Sequence, residues 1–369
     1  MRRISVGFLI MCSALMAASP ADAAKQLGAL SPLVGGIVGV HGEATVVVAM
    51  GRFGNDEDRF FETFTSSGSG FILTTPKGAA TNGGIIVSSP RADLSAVLPY
   101  FRFRATAISP LVSGRQAHGG EVVPGLAPWP TSVSMNGSLA VVTDRGEVVG
   151  AADASRHLRR ITTLRELSAT AAGRRCGLTA LTAVVVEDDQ SIAVGGRCRH
   201  SGASGIFERR FGSKQWSGLP ALSPSPSSVI RLDARNGGGF SALLAVGGRV
   251  IASVGGSGSL QKGVPSGVSN EALRAVIFLG PASNGHYAVT VTRGRGVSAR
   301  EISATGPGPW IGPVLPASTQ VVVPSMESRP AVAIAVQGSI MTERSLDEVS
   351  GRWAISGMQR VAIPYGTSR

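Results

Sequence analysis

The sequence predicts an all-β fold built from a repeated unit of about 48 residues. Short runs rich in Val, Ile, Thr and Ser alternate with Gly, Asn, Asp and Pro along the chain. This is the composition of many short strands joined by turns. Apolar strand cores recur at a nearly regular spacing and begin at Val46, Ile85, Leu139, Ile192, Leu244, Tyr287 and Val332.

A second marker keeps the same period. An aliphatic residue followed by proline occurs at intervals of 45 to 51 residues at Leu219-Pro220, Val264-Pro265, Leu315-Pro316 and Ile363-Pro364. A tryptophan precedes three of these steps, at Trp216, Trp310 and Trp353. Two independent markers with one period indicate a true structural repeat.

A strand-only period of about 40 to 50 residues is typical of the blades of a β-propeller. A four-stranded blade cannot bury both of its faces alone, so blades stack around an axis. Seven strand cores predict a single propeller of seven blades, each of four antiparallel strands. The pairs Gly195-Gly196 and Gly247-Gly248 are expected on inner strands, where the blades converge. A solenoid or a pair of β-sandwiches is the alternative, although sandwiches need no internal period.

Residues 191–228 resemble a kelch repeat. An apolar strand leads into Gly195 and Gly196, and Phe207, Phe211, Trp216 and a Leu-Pro step follow. The other copies are degenerate, since 287–316 lacks the double glycine and 244–265 lacks the tryptophan. The resemblance implies a propeller of the kelch and galactose-oxidase-like type. We therefore assign structural roles in the repeat to Gly195, Gly196, Trp216, Trp310 and Trp353.

Residues 1–23 have the pattern of a secretory signal peptide. Arg2 and Arg3 precede an apolar stretch over 6–18, and Ala21 and Ala23 form a small-x-small cleavage pattern. We expect cleavage after Ala23 and a secreted or periplasmic propeller domain over 24–369. A signal anchor is the alternative, but the apolar run is short for spanning a bilayer. No later segment of the sequence is long and apolar enough to be a transmembrane helix.

Two cysteines remain after removal of the signal peptide, Cys176 and Cys198. An oxidising compartment favours a disulfide between them. The segments 181–187 and 191–196 predict a hairpin, and pairing Glu187 with Ser191 brings the two cysteines close together. Two free thiols are the alternative.

The chain is basic, with a formal charge of +12 carried mainly by arginine. Such charge attracts acidic polymers. The candidate anion-binding residues are Arg174, Arg175, Arg197, Arg199, Arg209 and Arg210. If they share one face, they would bind an anionic cell-wall polysaccharide or phospholipid head groups. The alternative is diffuse surface charge, because strands and loops scatter their side chains.

No motif identifies a catalytic group, a metal or a cofactor. The galactose-oxidase-like resemblance carries no copper ligand across, since Tyr100, Tyr287 and Tyr365 match no motif and the histidines form no short pair. The acidic segments 55–58 and 187–191 are interpreted as hairpin turns. A calcium site is the alternative for 55–58, although this segment lacks the alternating spacing and the glycine of a calcium loop. The segment 345–353 is similar to the Asp-box turn of sialidase-type propellers, which is a structural motif.

The sequence therefore predicts an exported, monomeric β-propeller that acts as a binding or scaffolding module rather than as an enzyme. Its expected ligand is an anionic or cell-surface glycan, with a cell-envelope protein as another possible partner and no role for nucleic acid. The alternative is a propeller glycoside hydrolase or lyase acting on polysaccharide. Such an enzyme needs paired carboxylates, and no pair stands out in the sequence.

Overall fold

The computed structural model describes part of the 369-residue chain. The described backbone comprises the strands between residues 33 and 151, and then residues 159–235, 237–279, 286–325, 330–337 and 340–360. Side chains are described in residues 140–143 and 145–150, and in the same later ranges up to 359. The predicted signal peptide lies outside the described residues.

The first part of the chain forms three antiparallel sheets. Sheet one contains β1 (Leu33–Val40), β2 (Glu43–Arg52), β3 (Arg59–Ser66) and β4 (Phe71–Leu73). Sheet two contains β5 (Ile85–Ser88), β6 (Leu94–Tyr100), β7 (Ala105–Val112), β8 (Arg115–Gln116) and β9 (Glu121–Pro124). Sheet three contains β10 (Pro130–Asn136), β11 (Ser138–Thr143), β12 (Glu147–Ala151) and β13 (Arg159–Thr163). Each sheet is a meander built from one continuous stretch of chain.

A nine-stranded sheet follows and consists of two meanders. The first contains β14 (Leu178–Val186), β15 (Ile192–Cys198), β16 (Ile206–Arg209) and β17 (Ser217–Gly218). The second contains β18 (Ser227–Ala234), β19 (Phe240–Val246), β20 (Arg249–Gly256), β21 (Ser259–Leu260) and β22 (Val264–Ser269). One residue pair, Arg197 opposite Ser228, joins β15 to β18.

Two further sheets complete the described chain. One contains β23 (Leu273–Phe278), β24 (His286–Arg293), β25 (Gly296–Ser303), β26 (Gly306–Trp310) and β27 (Leu315–Pro316). The last contains β28 (Thr319–Val323), β29 (Val332–Gln337), β30 (Ile340–Asp347) and β31 (Arg352–Arg360). The first and last sheets are neighbours, because β1 contacts β28 and β4 contacts β31. In the described part of the chain the two sheets share no strand.

Two short helices connect β13 to β14: α1 (Leu164–Ala169) and α2 (Ala171–Cys176). Thr163 caps α1, since its Oγ1 accepts from the Glu166 amide at 3.1 Å and its own amide donates to Glu166 Oε2 at 3.0 Å. Gly177 ends α2 in the left-handed conformation at φ 60°.

The predicted disulfide and hairpin are both present. The Glu187 amide donates to the Ser191 carbonyl at 2.8 Å, and Leu178 lies opposite Cys198 in the β14–β15 ladder. Cys176 is the last residue of α2 and bonds to Cys198, with their Cα atoms 5.0 Å apart. The disulfide therefore fastens the helical connection to the far end of β15.

The strand cores identified in the sequence fall on the second strand of each meander, with one exception. Ile85 begins β5, the first strand of its sheet, and the second strand is β6. The repeat was misread there because β6, with the sequence LSAVLPY, lacks a continuous aliphatic run.

The two double glycines are not structurally equivalent, so the inner-strand expectation was wrong for one of them. Gly247 and Gly248 form the exposed turn between β19 and β20, where both have positive φ. Gly195 lies within β15, and a Cβ there would come within 2.5 Å of Val229 Cγ1 on β18. Glycine at position 195 therefore allows two neighbouring meanders to approach.

The aliphatic-proline step does mark equivalent positions. Val264 lies opposite Ala252 of β20, and Leu315 lies opposite Val297 of β25. The Leu219 amide donates to the carbonyl of Ile206 in β16. In each case the step pairs with the third strand of its own meander. The step at Ile363-Pro364 lies outside the described residues.

The three repeat tryptophans occupy different packing sites. Trp216 packs against the core that includes Leu167 and Phe207. Trp310 stacks beneath the guanidinium groups of Arg293 and Arg300, at 5.0 and 4.8 Å. Trp353 donates from Nε1 to the Pro313 carbonyl at 3.0 Å and thereby connects β31 to the preceding sheet.

Loss of the disulfide should measurably destabilise the protein. The bond spans 22 residues, and the chain-entropy estimate for a loop of that size is ~3 kcal/mol. We expect the Cys176→Ala/Cys198→Ala double variant to melt several degrees below the wild type. A reductant should lower the melting temperature of the wild type similarly and leave the double variant unchanged. Equal melting temperatures for the oxidised wild type and the double variant would contradict this expectation.

Candidate functional site

Four of the six candidate arginines surround the disulfide. Arg174 and Arg175 lie in the last turn of α2, and Arg197 and Arg199 flank Cys198. All four are exposed. We call Arg174, Arg175, Arg197 and Arg199 the basic cluster.

Backbone hydrogen bonds hold the two halves of the basic cluster together. The Arg199 amide donates to the Gly177 carbonyl at 3.2 Å, and the His200 amide donates to the Cys176 carbonyl at 3.0 Å. The end of α2 is thus bonded directly to the segment after β15. All four side chains extend from a base held by the disulfide and these hydrogen bonds, and Arg174 Nη1 donates back to the Ala169 carbonyl.

Arg209 and Arg210 lie elsewhere, so the six arginines do not form a single patch. Arg209 pairs with Ile192 at the opposite end of β15, about 20 Å along the strand from Cys198. The Arg209 guanidinium stacks over Trp216 at 5.1 Å, and Arg210 Nη2 donates to the Ser257 carbonyl at 2.8 Å. The antiparallel pairing of β15 and β16 separates residues that are close in sequence.

A cleft of about 690 Å³ lies at this second end, between two neighbouring meanders. The β14–β15 turn forms one wall, and the β18–β19 and β20–β21 connections form the other. We call it the glycine-walled cleft. Its lining residues are Glu187, Asp188, Asp189, Arg235, Gly237, Gly238, Gly239, Val254, Gly255, Gly256, Ser257, Ser259 and Gln261.

Glu187 is the most unusual residue of the glycine-walled cleft. Only 3% of its surface is exposed, and its Oε1 has no hydrogen-bond partner in the part of the chain that the structure describes. Burial, reinforced by the negative charges of Glu208, Asp189 and Asp188, raises the pKa of Glu187 to about 8. A hydrogen bond from the Gly239 backbone opposes this rise. The carboxyl is therefore mostly protonated at neutral pH.

A second buried carboxylate lies beside the cleft. Glu208 is 2% exposed, and its two oxygens accept from the Gly258 amide at 3.2 and 3.0 Å. Arg210 Nε lies 3.9 Å from Glu208 Oε1. Glu208 and Arg210 come from β16 and its end, whereas Gly258 belongs to the next meander. These contacts hold the β20–β21 turn against the first meander.

The glycine at position 256 is required by the close approach of two turns. Its φ is +144°, which strongly favours glycine. A Cβ at Gly256 would lie 2.7 Å from the Gly239 Cα and 3.3 Å from Glu187 Oε2. The glycine thus allows the backbone to approach Oε2, one of the two oxygens of the Glu187 carboxyl.

The Asp-box-like segment that the sequence analysis identified forms a turn. This is the β30–β31 turn, where Ser350 Oγ and the Val349 amide donate to Asp347 and hold the pKa of that carboxyl below its usual value. Segment 55–58 lies outside the described residues. Among the described side chains, no three His, Cys, Asp or Glu residues are grouped as a metal site. No helix in the described ranges is long and apolar enough to cross a membrane.

The sequence interpretation of 187–191 as a turn was incomplete. The segment is a turn, but its first residue is buried against glycine-rich segments of the neighbouring meander. The available signal was the pair of glycine-rich segments at 237–239 and 255–258, which follow the acidic turn by about 50 and 70 residues.

Comparisons with solved structures identify the fold. A candidate 6-phosphogluconolactonase from Bacteroides uniformis is 15% identical, with a TM-score of 0.55, covering 85% of this chain and 95% of its own. A protein from Lactobacillus plantarum is 12% identical, with a TM-score of 0.54, covering 85% and 98%. Hsv2 from Kluyveromyces lactis is 7% identical, with a TM-score of 0.51, covering 90% and 100%.

These similarities, which include the Hsv2 propeller, show that the chain has an all-β fold of the β-propeller class. At such low identities the likeness shows the fold alone. No protein-family model matches the chain, and no curated protein matches it.

Glu187 should make stability depend on pH. Its pKa in the folded protein, about 8, exceeds the ordinary value of 4.5, so the folded state holds a proton that the unfolded state has released. Stability should therefore fall as pH rises between about 5 and 8, by up to ~1.4 kcal/mol per unit. Glu187→Gln should remove this slope and be more stable than the wild type at pH 8. Urea unfolding from pH 5 to 9 measures both effects.

Asp347→Asn is the matched control, because Asp347 is exposed and the pKa of its carboxyl is lowered. Its difference in stability from the wild type should stay constant between pH 5 and 8. If Glu187→Gln retained the full wild-type slope, another group would be responsible for it.

Proposed function

We propose that the protein is an exported, monomeric binding module, folded as a single seven-bladed β-propeller, whose basic cluster binds an anionic polysaccharide of the cell surface. The observation that carries the proposal is the gathering of four exposed arginines around the disulfide. Arginine suits this role because its guanidinium group stays charged and pairs with carboxylate or sulfate through two hydrogen bonds.

The blade number is supported by the sheet topology. Separating the nine-stranded sheet at its single Arg197–Ser228 pair gives seven successive meanders of four or five strands. Their first strands are β1, β5, β10, β14, β18, β23 and β28. Contacts between β1 and β5, β5 and β10, β10 and β14, and β14 and β18 follow the chain, and β28 contacts β1. A closed ring of seven blades accounts for this pattern.

Rigidity of the basic cluster supports a binding role. The disulfide and two backbone hydrogen bonds fix the positions from which the arginines project. Less conformational entropy is then lost when a ligand is bound than on a flexible loop. A disulfide also persists in the oxidising compartments that export would reach.

The kelch-type relationship is a finer proposal within this fold. The aliphatic-proline step recurs at equivalent strand positions, which supports it. The second double glycine, Gly247-Gly248, lies in a turn and not at the strand position of Gly195-Gly196, which weakens it. The relation therefore concerns blade architecture rather than ligand choice.

A glycoside hydrolase or lyase is the second candidate, and one observation favours it. The glycine-walled cleft contains a carboxyl of raised pKa, Glu187, near the carboxylates of Asp188 and Asp189. Glycosidases pair a protonated acid with an ionised carboxylate. Release of reducing ends from a panel of polysaccharides by the wild type, with loss in Glu187→Gln, would favour this candidate.

Binding to an anionic polymer tests the main proposal. We expect the protein to be retained on immobilised heparin and to elute with salt. Replacing Arg174, Arg175, Arg197 and Arg199 with Gln should lower the salt concentration at elution by about half, because exposed charge pairs are weakened by screening. Neutral dextran should not retain either protein.

The matched control removes four positive charges elsewhere. Arg249, Lys262, Arg295 and Arg352 are exposed and lie outside the basic cluster. Their replacement with Gln should leave elution close to that of the wild type. Equal losses in the two quadruple variants would show that binding depends on diffuse charge, and the proposal would be wrong.

A further inference from the structure

We propose that the glycine-walled cleft is a second ligand site, which binds a hydroxyl-rich ligand through a primary ammonium group, as an amino sugar would present. The site lies at the opposite end of β15 from the basic cluster and does not depend on its function. Its ligand is a cation, whereas the ligand proposed for the basic cluster is an anion.

The charges around the glycine-walled cleft favour a cation. Glu187, Asp188 and Asp189 line it, with Glu208 behind them. Arg235 is the cationic residue of the lining, and Arg210 lies beside the cleft against the Ser257 carbonyl and Glu208. Three acids and one arginine therefore line the cleft. A positive charge in the cleft would relieve the repulsion among the carboxyl groups.

Glu187 supplies the specific contact. The side chain is 97% buried, yet its Oε1 has no hydrogen-bond partner among the described residues. A buried polar atom of this kind is costly and calls for an explanation, such as a ligand. An ammonium group carries three N–H donors and can supply both the missing hydrogen bond and the positive charge. The proton held on Glu187 is then exchanged for the ligand's ammonium.

The neighbouring carboxylates differ from Glu187 in this respect. Asp189 accepts from the Ser191 amide at 2.8 Å and from Ser191 Oγ at 3.0 Å. Glu208 accepts from the Gly258 amide. Their oxygens already stabilise the turns. Glu187 is therefore the group to which we assign the ammonium contact.

The size and the other walls of the cleft indicate the rest of the ligand. A volume of about 690 Å³ lies within the range of small-molecule sites and is far larger than a single ion requires. Ser257, Ser259 and Gln261 provide polar side chains, and the glycine runs leave backbone groups uncovered. These groups suit the hydroxyls of one or two sugar rings.

The experiment measures binding of the glucosamine disaccharide by calorimetry at about pH 6.5, using the full chain. We expect binding by the wild type with release of about one proton per ligand, seen as a dependence of the heat on the buffer. The N,N′-diacetylated disaccharide lacks the ammonium groups and should not bind. Glu187→Gln keeps the side-chain shape without the carboxylate, and should bind at least about tenfold more weakly.

Three controls make the result decisive. The variant with Gln at positions 174, 175, 197 and 199 should bind the amine normally, which separates this site from the basic cluster. Butylamine should bind more weakly than the disaccharide, because it has no hydroxyls. Asp347→Asn should behave as the wild type.

Several results would overturn the proposal. These are equal binding of the acetylated disaccharide, unchanged affinity in Glu187→Gln, or no binding of any amine by folded protein. If butylamine bound as tightly as the disaccharide, the proposed contacts with sugar hydroxyls would be wrong. Thermal stabilisation by calcium ions but not by the amine would identify a metal site instead.

Discussion

The constraint on which the structure depends is that both faces of a meander are apolar and must be covered by different neighbours. Successive residues of β14 show it directly. Val184 and Val186 join the core shared with the preceding sheet, which contains Ala140, Val142 and Val148. Ala183 and Val185 join the core shared with the following meander, through Val229 and Leu244. The two-residue period of a strand thus divides one apolar run between two cores. A single meander would leave one of these faces in water, so the sheets are stable only as a stack.

Because the faces of the meanders are buried in this packing, polar clefts form at the strand ends, where turns of neighbouring meanders meet and are exposed. The glycine-walled cleft is an example, since its two walls come from different meanders. Contacts of Glu208 with Gly258 and of Arg210 with Ser257 hold those walls together. Inside the stack, Arg231 plays a comparable role. It pairs with Asp233, with Nε 2.8 Å from Oδ2, and reaches from β18 to the Val276 carbonyl of the next sheet at 3.3 Å. Breaking this half-buried pair would leave Asp233 without its counter-charge.

The sequence predicted most of the strands, but it did not predict which residues of different strands and repeats lie next to each other in space. Continuous runs such as 183–186 are typical of strands buried on both faces, and their spacing revealed the repeat. Ile85 was wrongly matched to the other strand cores because β5, the first strand of its sheet, has a more continuous aliphatic run than β6, the second strand. Gly247 and Gly248 misled because a double glycine fits a hairpin turn as well as a close strand contact. The disulfide could be predicted because a local hairpin sets its geometry. The sequence did not predict that the six candidate arginines lie at two different ends of β15, nor that Glu187 is buried. Both features depend on how strands and separate repeats meet in space.

The meander β14–β17 therefore has two chemically different ends. The basic cluster lies beside Cys198, and Glu187 lies at the other end of the same hairpin, about 20 Å away. That distance exceeds the Debye length of about 8 Å at physiological ionic strength, so exposed charges at the two ends act almost independently. The ends also differ in their effect on folding. The disulfide stabilises the first, whereas the buried carboxyl at the second costs stability at neutral and alkaline pH. A buried carboxyl that costs this stability, lines a cleft and has one oxygen, Oε1, without a partner among the described residues is better explained by a ligand than by packing.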